Sequence, residues 1–358
     1  MRYPQFIKEG DCIGFPAPSF GCNTEPYSSR FDSAMEYFKG LGFKINPGPN
    51  SKAGLGIGIS NTPENCAAEL TNMYLDSVND ALITCGGGEL MCEILEHVDF
   101  EKIRKADPKW VMGYSDITNI VYPLLTLCDT ASVYGPCANN FGFRKLHECV
   151  TSSMDILCGK TDTVHSFEYH EKYPYDEEPL PEGIEPDPLE PWETTEKSLK
   201  SVYDGKKLCA PGEFSGELGF SGRLMGGCLD CLEVLQGTPY EDTKSFLDRY
   251  ESDGVIWCLE PCDLNVFSVR RSMWKLEAAG WFRKGVVKGF LIGRPRNGQE
   301  MMGLDHIGAV MPYIEKYGVP AVLDCDFGHV APAMPLVMGS IGHVSVNGND
   351  LQIKMEFA

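Results

Sequence analysis

The sequence lacks the features that mark a secreted or membrane-bound protein. No stretch approaches the roughly 18–20 apolar residues that a membrane-spanning helix requires. The first 14 residues contain no basic segment followed by an apolar run, which is the pattern of a signal peptide. The sequence therefore predicts a cytoplasmic protein without a membrane partner.

Positive charge is also scarce. The 358 residues include 31 Lys and Arg against 51 Asp and Glu, which gives a net charge of −20. Proteins that bind nucleic acids carry clusters of Lys and Arg, so this composition argues against a nucleic-acid partner. A small anionic substrate stays compatible with it, because one local arginine can outweigh the overall field.

The 15 cysteines follow neither a disulfide framework nor a zinc-site spacing. They are odd in number and scattered along the chain, so we expect reduced and mostly buried thiols. Cys228 and Cys231 lie in an apolar run with helical spacing and are predicted to belong to the core. Cys258 and Cys262 form the other close pair, and a zinc site would need a second pair or histidines at matching spacing, so no metal and no cofactor is expected. A cysteine-based redox or metal protein is the alternative, which metal analysis would test.

The rest of the chain alternates strand and helix patterns. Expected strands cover residues 11–16, 42–46, 81–85 and 110–112, and expected helices cover 30–39, a segment opening at Thr62, 89–97 and 117–127. A second alternating region has strands at 255–259, 285–292 and 321–325 and helices at 264–278 and 304–317. This order predicts an α/β fold with parallel sheets. We expect an N-terminal domain over residues 1–164 and a C-terminal domain over 212–358.

Residues 165–211 differ in composition and are predicted to be an acidic, proline-rich loop or linker. Between residues 168 and 196 there are eleven Asp or Glu, six Pro and a single Lys. Such a segment cannot bury a core of its own. It is either a solvated connection between the domains or a loop that covers a substrate and stacks an aromatic ring, such as that of Trp192, on it.

Two turns at the ends of expected strands carry candidate catalytic groups. Ser115 follows the strand ending at Met112 and begins the next helix, where a sharp turn would expose its hydroxyl. Gly86 and Gly87 follow the strand at 81–85 and allow close approach of a ligand to the backbone. Their N–H groups and that of Asp116 are candidate donors to an oxyanion. The alternatives are a simple helix cap at Ser115 and an ordinary glycine turn.

A serine nucleophile needs a base and a group that orients it. His329 follows a strand and a glycine, as expected of a base presented at a sheet edge. Glu260 ends the apolar strand VIWCLE, where a carboxylate is costly to desolvate unless it is paired. The alternatives are a structural histidine and a hydrated carboxylate.

Taken together, these segments resemble the LD-carboxypeptidase and microcin C self-immunity family of serine peptidases. The similar stretches run nearly end to end: GDCIGFPAPS (10–19), TCGGGELMCEIL (84–95), PKWVMGYSDIT (108–118), YGP (134–136), GRLMGGCLDCLEVLQGTPY (222–240), GVIWCLEPCD (254–263), RRSMWKLEAAG (270–280) and DFGHVAPAMPLVMG (326–339).

The resemblance implies a flavodoxin- or Rossmann-like N-terminal domain, a smaller C-terminal α/β domain and a homodimer. It also implies a catalytic triad of Ser115, Glu260 and His329, with oxyanion donors at Gly86 or Gly87 and at Asp116. Two departures concern substrate fit: Gly88 follows the glycine pair, and Cys228 stands where the family often has asparagine.

Two substrates are compatible with the resemblance. One is a peptidyl- or aminoacyl-nucleotide of the microcin C type, which the long insertion with Trp192 favours. The other is a muropeptide from which a terminal D-alanine is released. Arg223 and Arg270 are the expected cationic groups for an anionic substrate. A binding protein that kept this fold and lost turnover is a further alternative.

Overall fold

The structure is a computed structural model that describes residues 1–172 and 187–358. Along the described residues the strands are β1 (Cys12–Phe15), β2 (Lys44–Pro47), β3 (Ala81–Ile83), β4 (Trp110–Gly113), β5 (Ser132–Tyr134), β6 (Thr163–His165), β7 (Tyr169–Glu171), β8 (Thr194–Lys197), β9 (Ser201–Tyr203), β10 (Leu208–Cys209), β11 (Glu217–Cys228), β12 (Val255–Glu260), β13 (Val287–Gly293), β14 (Ala321–Cys325), β15 (Leu336–Met338), β16 (Ile341–Asn347) and β17 (Asp350–Glu356).

The helices follow the strands in the alternation that the sequence predicts. They are α1 (Tyr27–Gly40), α2 (Pro63–Leu75), α3 (Phe100–Lys105), α4 (Thr118–Thr126), α5 (Glu148–Leu157), α6 (Leu229–Leu235), α7 (Thr243–Arg249), α8 (Val266–Ala278) and α9 (His306–Ile314). Short 3-10 helices cover Met91–His97, Ser115–Ile117, Ala138–Gly142 and Glu315–Tyr317. The expected helix at 89–97 is thus a 3-10 helix. Among the described residues, every helix is too short or too polar to cross a membrane.

The first sheet has the order β2-β1-β3-β4-β5-β15. Its first five strands are parallel, and β15 joins β5 antiparallel. The order 2-1-3-4-5 is that of flavodoxin-like sheets, which bind ligands beyond the carboxyl ends of their strands. The predicted α/β class with an N-terminal parallel sheet is confirmed.

The second sheet has nine strands in the order β10-β9-β14-β13-β12-β11-β16-β17-β6. Its centre, from β11 to β14, is parallel, and its outer strands are antiparallel. Three of these strands, β6, β9 and β10, precede residue 212. The segment 165–211 is therefore more than a linker in its described part, because β9 and β10 extend the second sheet and β7 pairs with β8.

Local sequence explains why the helices form where they do. In α1 the residues at helical spacing, Phe31, Ala34, Met35 and Phe38, are the buried ones. In α2, Thr62 caps the first turn by accepting a hydrogen bond from the Asn65 amide, and proline occupies the first helical position. All 15 cysteines are free thiols and most are buried, as predicted.

Candidate active site

The nucleophile candidate lies in a tight turn between a strand and a helix. Strand β4 ends at Gly113, and Ser115 begins the 3-10 helix Ser115–Ile117 that leads into α4. Ser115 has φ of 64°, a left-handed conformation that a non-glycine residue adopts at a cost of about 1–3 kcal/mol. Such a cost is tolerated where the surrounding fold fixes the backbone, and here the turn directs the hydroxyl towards His329.

Three side chains that are far apart in sequence meet at this turn. The Oγ atom of Ser115 lies 2.8 Å from Nε2 of His329. On the other side of the ring, Nδ1 lies 2.9 Å from Oε1 and 3.1 Å from Oε2 of Glu260. The carboxylate is fully buried at the end of β12. The arrangement can move a proton from a hydroxyl to an imidazole whose orientation a carboxylate fixes.

Gly328 makes room for this contact. It has φ of 108°, and a Cβ atom there would lie 2.6 Å from Oε2 of Glu260. A side chain at this position would therefore displace either the carboxylate or the loop that carries His329. The glycine before the histidine, noted in the sequence, has this steric reason.

The charge of Glu260 raises the pKa of the His329 imidazole. Burial lowers the pKa of His329, but the Glu260 charge and hydrogen bond outweigh that effect, so the pKa lies above the ordinary value of 6.5. The neutral ring that can accept a proton therefore becomes the main form only above that ordinary value.

Tyr134 is a site residue that the sequence analysis missed. Its hydroxyl donates to Oε1 of Glu260 over 2.5 Å and accepts from the backbone N–H of Ser115 over 3.2 Å. Burial and the Glu260 charge raise the pKa of this phenol well above its ordinary value, so it keeps the proton that it donates. The tyrosine closes a ring of hydrogen bonds through Ser115, His329 and Glu260. The YGP stretch at the end of β5 was the available signal.

The candidate oxyanion donors surround the hydroxyl in different ways. A Cβ atom at Gly87 would lie 3.2 Å from Oγ of Ser115, so this glycine lies directly against that hydroxyl. The buried carboxylate of Asp116 accepts hydrogen bonds from Ser19 and from the amide of Met91, which fixes the turn. Gly86 lies next to Phe20 and Asn139. The donor roles of Gly86, Gly87 and the Asp116 amide stay predictions.

Ser115, Asp116 and His329 open into a cavity of about 1140 Å³. Trp192 lines the same cavity and packs against Phe143, with ring centroids 4.6 Å apart. The guanidinium of Arg30, also at the cavity, lies over the Phe143 ring at 4.4 Å. The Trp192 ring and the Arg30 guanidinium therefore line the same cavity as the Ser115 hydroxyl.

Residues 13–135 match the LD-carboxypeptidase N-terminal domain, and residues 221–344 match the LD-carboxypeptidase C-terminal domain. The chain belongs to the LD-carboxypeptidase family. Together the two matches cover about two thirds of the sequence and include Ser115, Glu260 and His329.

Two relatives illustrate the breadth of the LD-carboxypeptidase family. A Vibrio cholerae protein named "Putative carboxypeptidase" is 25% identical over 99% of this chain and 98% of its own length. The microcin C7 self-immunity protein MccF of Escherichia coli is 26% identical over 64% of this chain and 62% of its own length.

Solved structures show the same fold. An MccF-like protein from Bacillus anthracis has a TM-score of 0.77 at 20% identity and covers 99% of this chain and 100% of its own. MccF in complex with aspartyl sulfamoyl adenosine has a TM-score of 0.75 at 20% identity, with 98% of both chains covered. A muramoyltetrapeptide carboxypeptidase from Oxalobacter formigenes has a TM-score of 0.69 at 17% identity, covering 97% of this chain and 99% of its own.

Arg223 and Arg270, the expected substrate-binding arginines, lie elsewhere in this LD-carboxypeptidase family member. Arg223 is 3% exposed, and its guanidinium is paired with Asp253 and donates to the carbonyl of Gly339. Arg270 lies on α8 and donates to the carbonyl of Gly308 over 3.1 Å. Neither lines the cavity, because both side chains tie neighbouring elements together.

Arg30 and Arg296 are the arginines that line the cavity among the described residues. Arg296 lies 3.9 Å from Asp263, which lines the cavity as well. Both arginines were missed because overall charge and helix patterns do not reveal which positive groups a fold brings to one cavity.

Cys228 is buried, as predicted, whereas the prediction of a core position is wrong for Cys231, which is only partly buried. Cys228 ends β11, Cys231 lies in the first turns of α6, and both side chains line the cavity. The Sγ atom of Cys231 lies 3.6 Å from the carbonyl oxygen of Ser115. The sequence pattern of an apolar run does not distinguish a segment packed in a core from one that forms the floor of a pocket.

Proposed function

We propose that the protein is a serine peptidase in which Ser115 is the nucleophile, His329 the general base and Glu260 the group that orients the base. The observation that carries the proposal is the chain of hydrogen bonds from Oγ of Ser115 through both imidazole nitrogens to the buried carboxylate. Membership of the LD-carboxypeptidase family supports it.

In the proposed cycle, His329 takes the proton of Ser115 as Oγ attacks an amide carbonyl carbon. Backbone N–H groups at Gly87 and Asp116 hold the oxyanion; losing such a donor typically costs about 10²–10³-fold in turnover. The imidazolium then protonates the leaving amine, and water hydrolyses the acyl-enzyme. The Ser115 amide is engaged with Tyr134, so it is not among the donors.

The proposed substrate is a small peptide conjugate of the peptidyl- or aminoacyl-nucleotide type. The cavity of about 1140 Å³ has room for such a molecule, and Trp192 offers an aromatic surface for a base to stack on. Arg30 and Arg296 supply positive charge for its anionic group. MccF, which has the same fold, binds aspartyl sulfamoyl adenosine.

A muropeptide is the second candidate substrate. The matched family is described by its LD-carboxypeptidase domains, and the Oxalobacter formigenes neighbour is a muramoyltetrapeptide carboxypeptidase. In this case the same triad would release a terminal D-alanine. Assaying both substrates with the same preparation separates the candidates by their kcat/KM ratio.

Active-site labelling tests the mechanism without knowledge of the substrate. A fluorophosphonate should label the wild-type protein and Ser252→Ala, whose replaced hydroxyl is exposed, but not Ser115→Ala. Hydrolysis of the better substrate should fall by at least about 10⁴-fold in Ser115→Ala. Undiminished hydrolysis by Ser115→Ala would refute the serine mechanism, and a folded wild type that neither labels nor hydrolyses would favour the binding-protein alternative.

The homodimer and the cytoplasmic location that the sequence analysis expects stay predictions. Sedimentation equilibrium of the full-length chain checks the first, and fractionation of cells that produce it checks the second.

A further inference from the structure

The ends of β11 and β12 bring a thiol beside the Glu260 carboxylate. These strands are parallel neighbours, and Cys228 is in register with Glu260. Residues in register point to the same face of a sheet, so both side chains project from the same place. Glu260 is fully buried, and Cys228 is 2% exposed yet borders the cavity.

His329 completes a group of three side chains that can bind a metal ion. One ligand atom from each of Cys228, Glu260 and His329 lies within 4.8 Å of the other two. Around tetrahedral zinc, with Zn–S of about 2.3 Å and Zn–N or Zn–O of about 2.0–2.1 Å, ligand atoms are about 3.3–3.6 Å apart. The Cys228 sulfur therefore needs to move in by at most about 1–1.5 Å, whereas Nδ1 of His329 and the Glu260 oxygens, 2.9–3.1 Å apart, need to separate slightly. Side-chain rotation can supply a movement of this size.

A second thiol lies beside the group. The Cys231 side chain is hydrogen-bonded to that of Cys228 and borders the same cavity. A fourth ligand position can therefore be filled by Cys231 or by a water molecule from the cavity. Thiolate and imidazole ligands together suit zinc and similar soft cations better than magnesium or calcium.

We propose that Cys228, Glu260 and His329 form a binding site for a thiophilic divalent cation, with Zn²⁺ as the probe. Binding requires that the Cys228 thiol release its proton to solvent and that one imidazole nitrogen offer its lone pair to the metal.

Metal binding removes the imidazole from its role as a base. If Nε2 of His329 binds the metal, its lone pair is used; if Nδ1 binds, the ring proton resides on Nε2. In either case Nε2 cannot accept the Ser115 proton, so the occupied site is an inhibited one. This inhibition rests on the proposed function, whereas the binding itself does not.

Calorimetric titration of the reduced, metal-free, full-length protein with ZnCl₂ tests the site. We expect one zinc ion per chain in the wild type and in the control Cys209→Ser, whose half-buried cysteine lies in β10 outside the cavity. Cys228→Ser should bind zinc at least about 100-fold more weakly. Wild-type affinity in Cys228→Ser, or no stoichiometric binding by the wild type, would overturn the proposal.

His329→Asn removes a second ligand and should weaken binding comparably, so a folding defect in one variant leaves the test intact. Unchanged affinity in folded His329→Asn would also count against the site. Ser115→Ala keeps all three ligands and should bind zinc as the wild type does, which separates binding from turnover.

Labelling then tests the inhibition. Zn²⁺ should block fluorophosphonate labelling of the wild type, and EDTA should restore it, whereas labelling of Cys228→Ser should resist the same zinc concentration. Full labelling of the zinc-saturated wild type would overturn the inhibitory consequence. A wild type that never labels would instead count against the proposed function, and the titration would still decide the metal site.

Discussion

Removal of the Tyr134 hydroxyl tests how the proposed triad is held in place. Tyr134→Phe deletes the donor to Oε1 of Glu260 and the acceptor of the Ser115 N–H while keeping the buried ring. A hydrogen bond to a charged group contributes about 1.5–3 kcal/mol. If about half of this, roughly 0.8–1.5 kcal/mol, becomes stronger attraction between Glu260 and the imidazolium, the pKa of His329 rises further above its ordinary value.

Tyr134→Phe should change both the pH dependence of kcat/KM and the value of kcat. In the proposed mechanism the acid limb of kcat/KM reports protonation of His329. This limb should move to higher pH in Tyr134→Phe because a more basic ring stays protonated up to a higher pH. The left-handed turn at Ser115 also loses a fixed partner, so kcat should fall by about 10–100-fold, or about 1.4–2.7 kcal/mol of barrier, with KM little changed. Both values come from pH-dependent steady-state kinetics.

Tyr122→Phe is the matched control. Its ring is equally buried, and its hydroxyl is bonded to Thr243 over 2.7 Å, away from the triad. We expect a loss of about 1 kcal/mol in unfolding free energy and an unchanged pH profile. If Tyr134→Phe keeps the wild-type acid limb of kcat/KM and the wild-type kcat, the positioning role of Tyr134 is refuted. The same shift of the acid limb in Tyr134→Phe and Tyr122→Phe would also refute it.

Other changes probe the nucleophile's neighbour, the cavity charge and a buried ion cluster. Gly87→Ala should lower kcat with little change in melting temperature, because the new Cβ lies 3.2 Å from the Ser115 hydroxyl; unchanged kcat contradicts the close approach. Arg296→Gln should raise KM for an anionic substrate more than it lowers kcat, and a neutral amide substrate is the comparison. Asp326→Asn should cost about 3–5 kcal/mol in urea unfolding, since it leaves Lys200 and Arg294 without their buried partner.

The same cluster predicts that the free energy of unfolding decreases as the pH is lowered. Burial raises the pKa of Asp326, but Lys200 and Arg294 outweigh it and hold the pKa below 3.8. The carboxylate therefore contributes stability fully above the unfolded-state pKa and loses it as pH falls through the lower folded-state value. Urea unfolding between about pH 5 and pH 2 should show this loss in the wild type and not in Asp326→Asn.

Local sequence patterns were enough to locate the candidate site residues that lie next to strands. Ser115, Glu260 and His329 each follow or end an apolar strand that the sequence marks clearly, and parallel strands gather their carboxyl ends at a common edge. The capped start of α2 at Thr62 is equally local. These features depend on a few neighbouring residues, which one sequence contains.

Long-range partners could not be read from the sequence. Tyr134 opens the YGP stretch, but its role depends on a carboxylate 126 positions away, which the stretch itself does not indicate. Arg223 pairs with Asp253 and donates to the backbone oxygens of Gly339 and Ala358, and no sequence spacing predicts these contacts. Cys228 ends a strand in an apolar run that also fits a helix, so its place at the cavity emerges only from the register of β11 with β12.

The loop that carries His329 is anchored at both ends in different sheets. It leaves the second sheet at Cys325, and eleven residues later Leu336 enters the first sheet beside Tyr134. Cutting the gene between its two halves would deprive the amino-terminal fragment of its border strand, and the fragment would expose unpaired backbone along β5. A version of this protein that is split between its two halves should therefore aggregate or remain inactive.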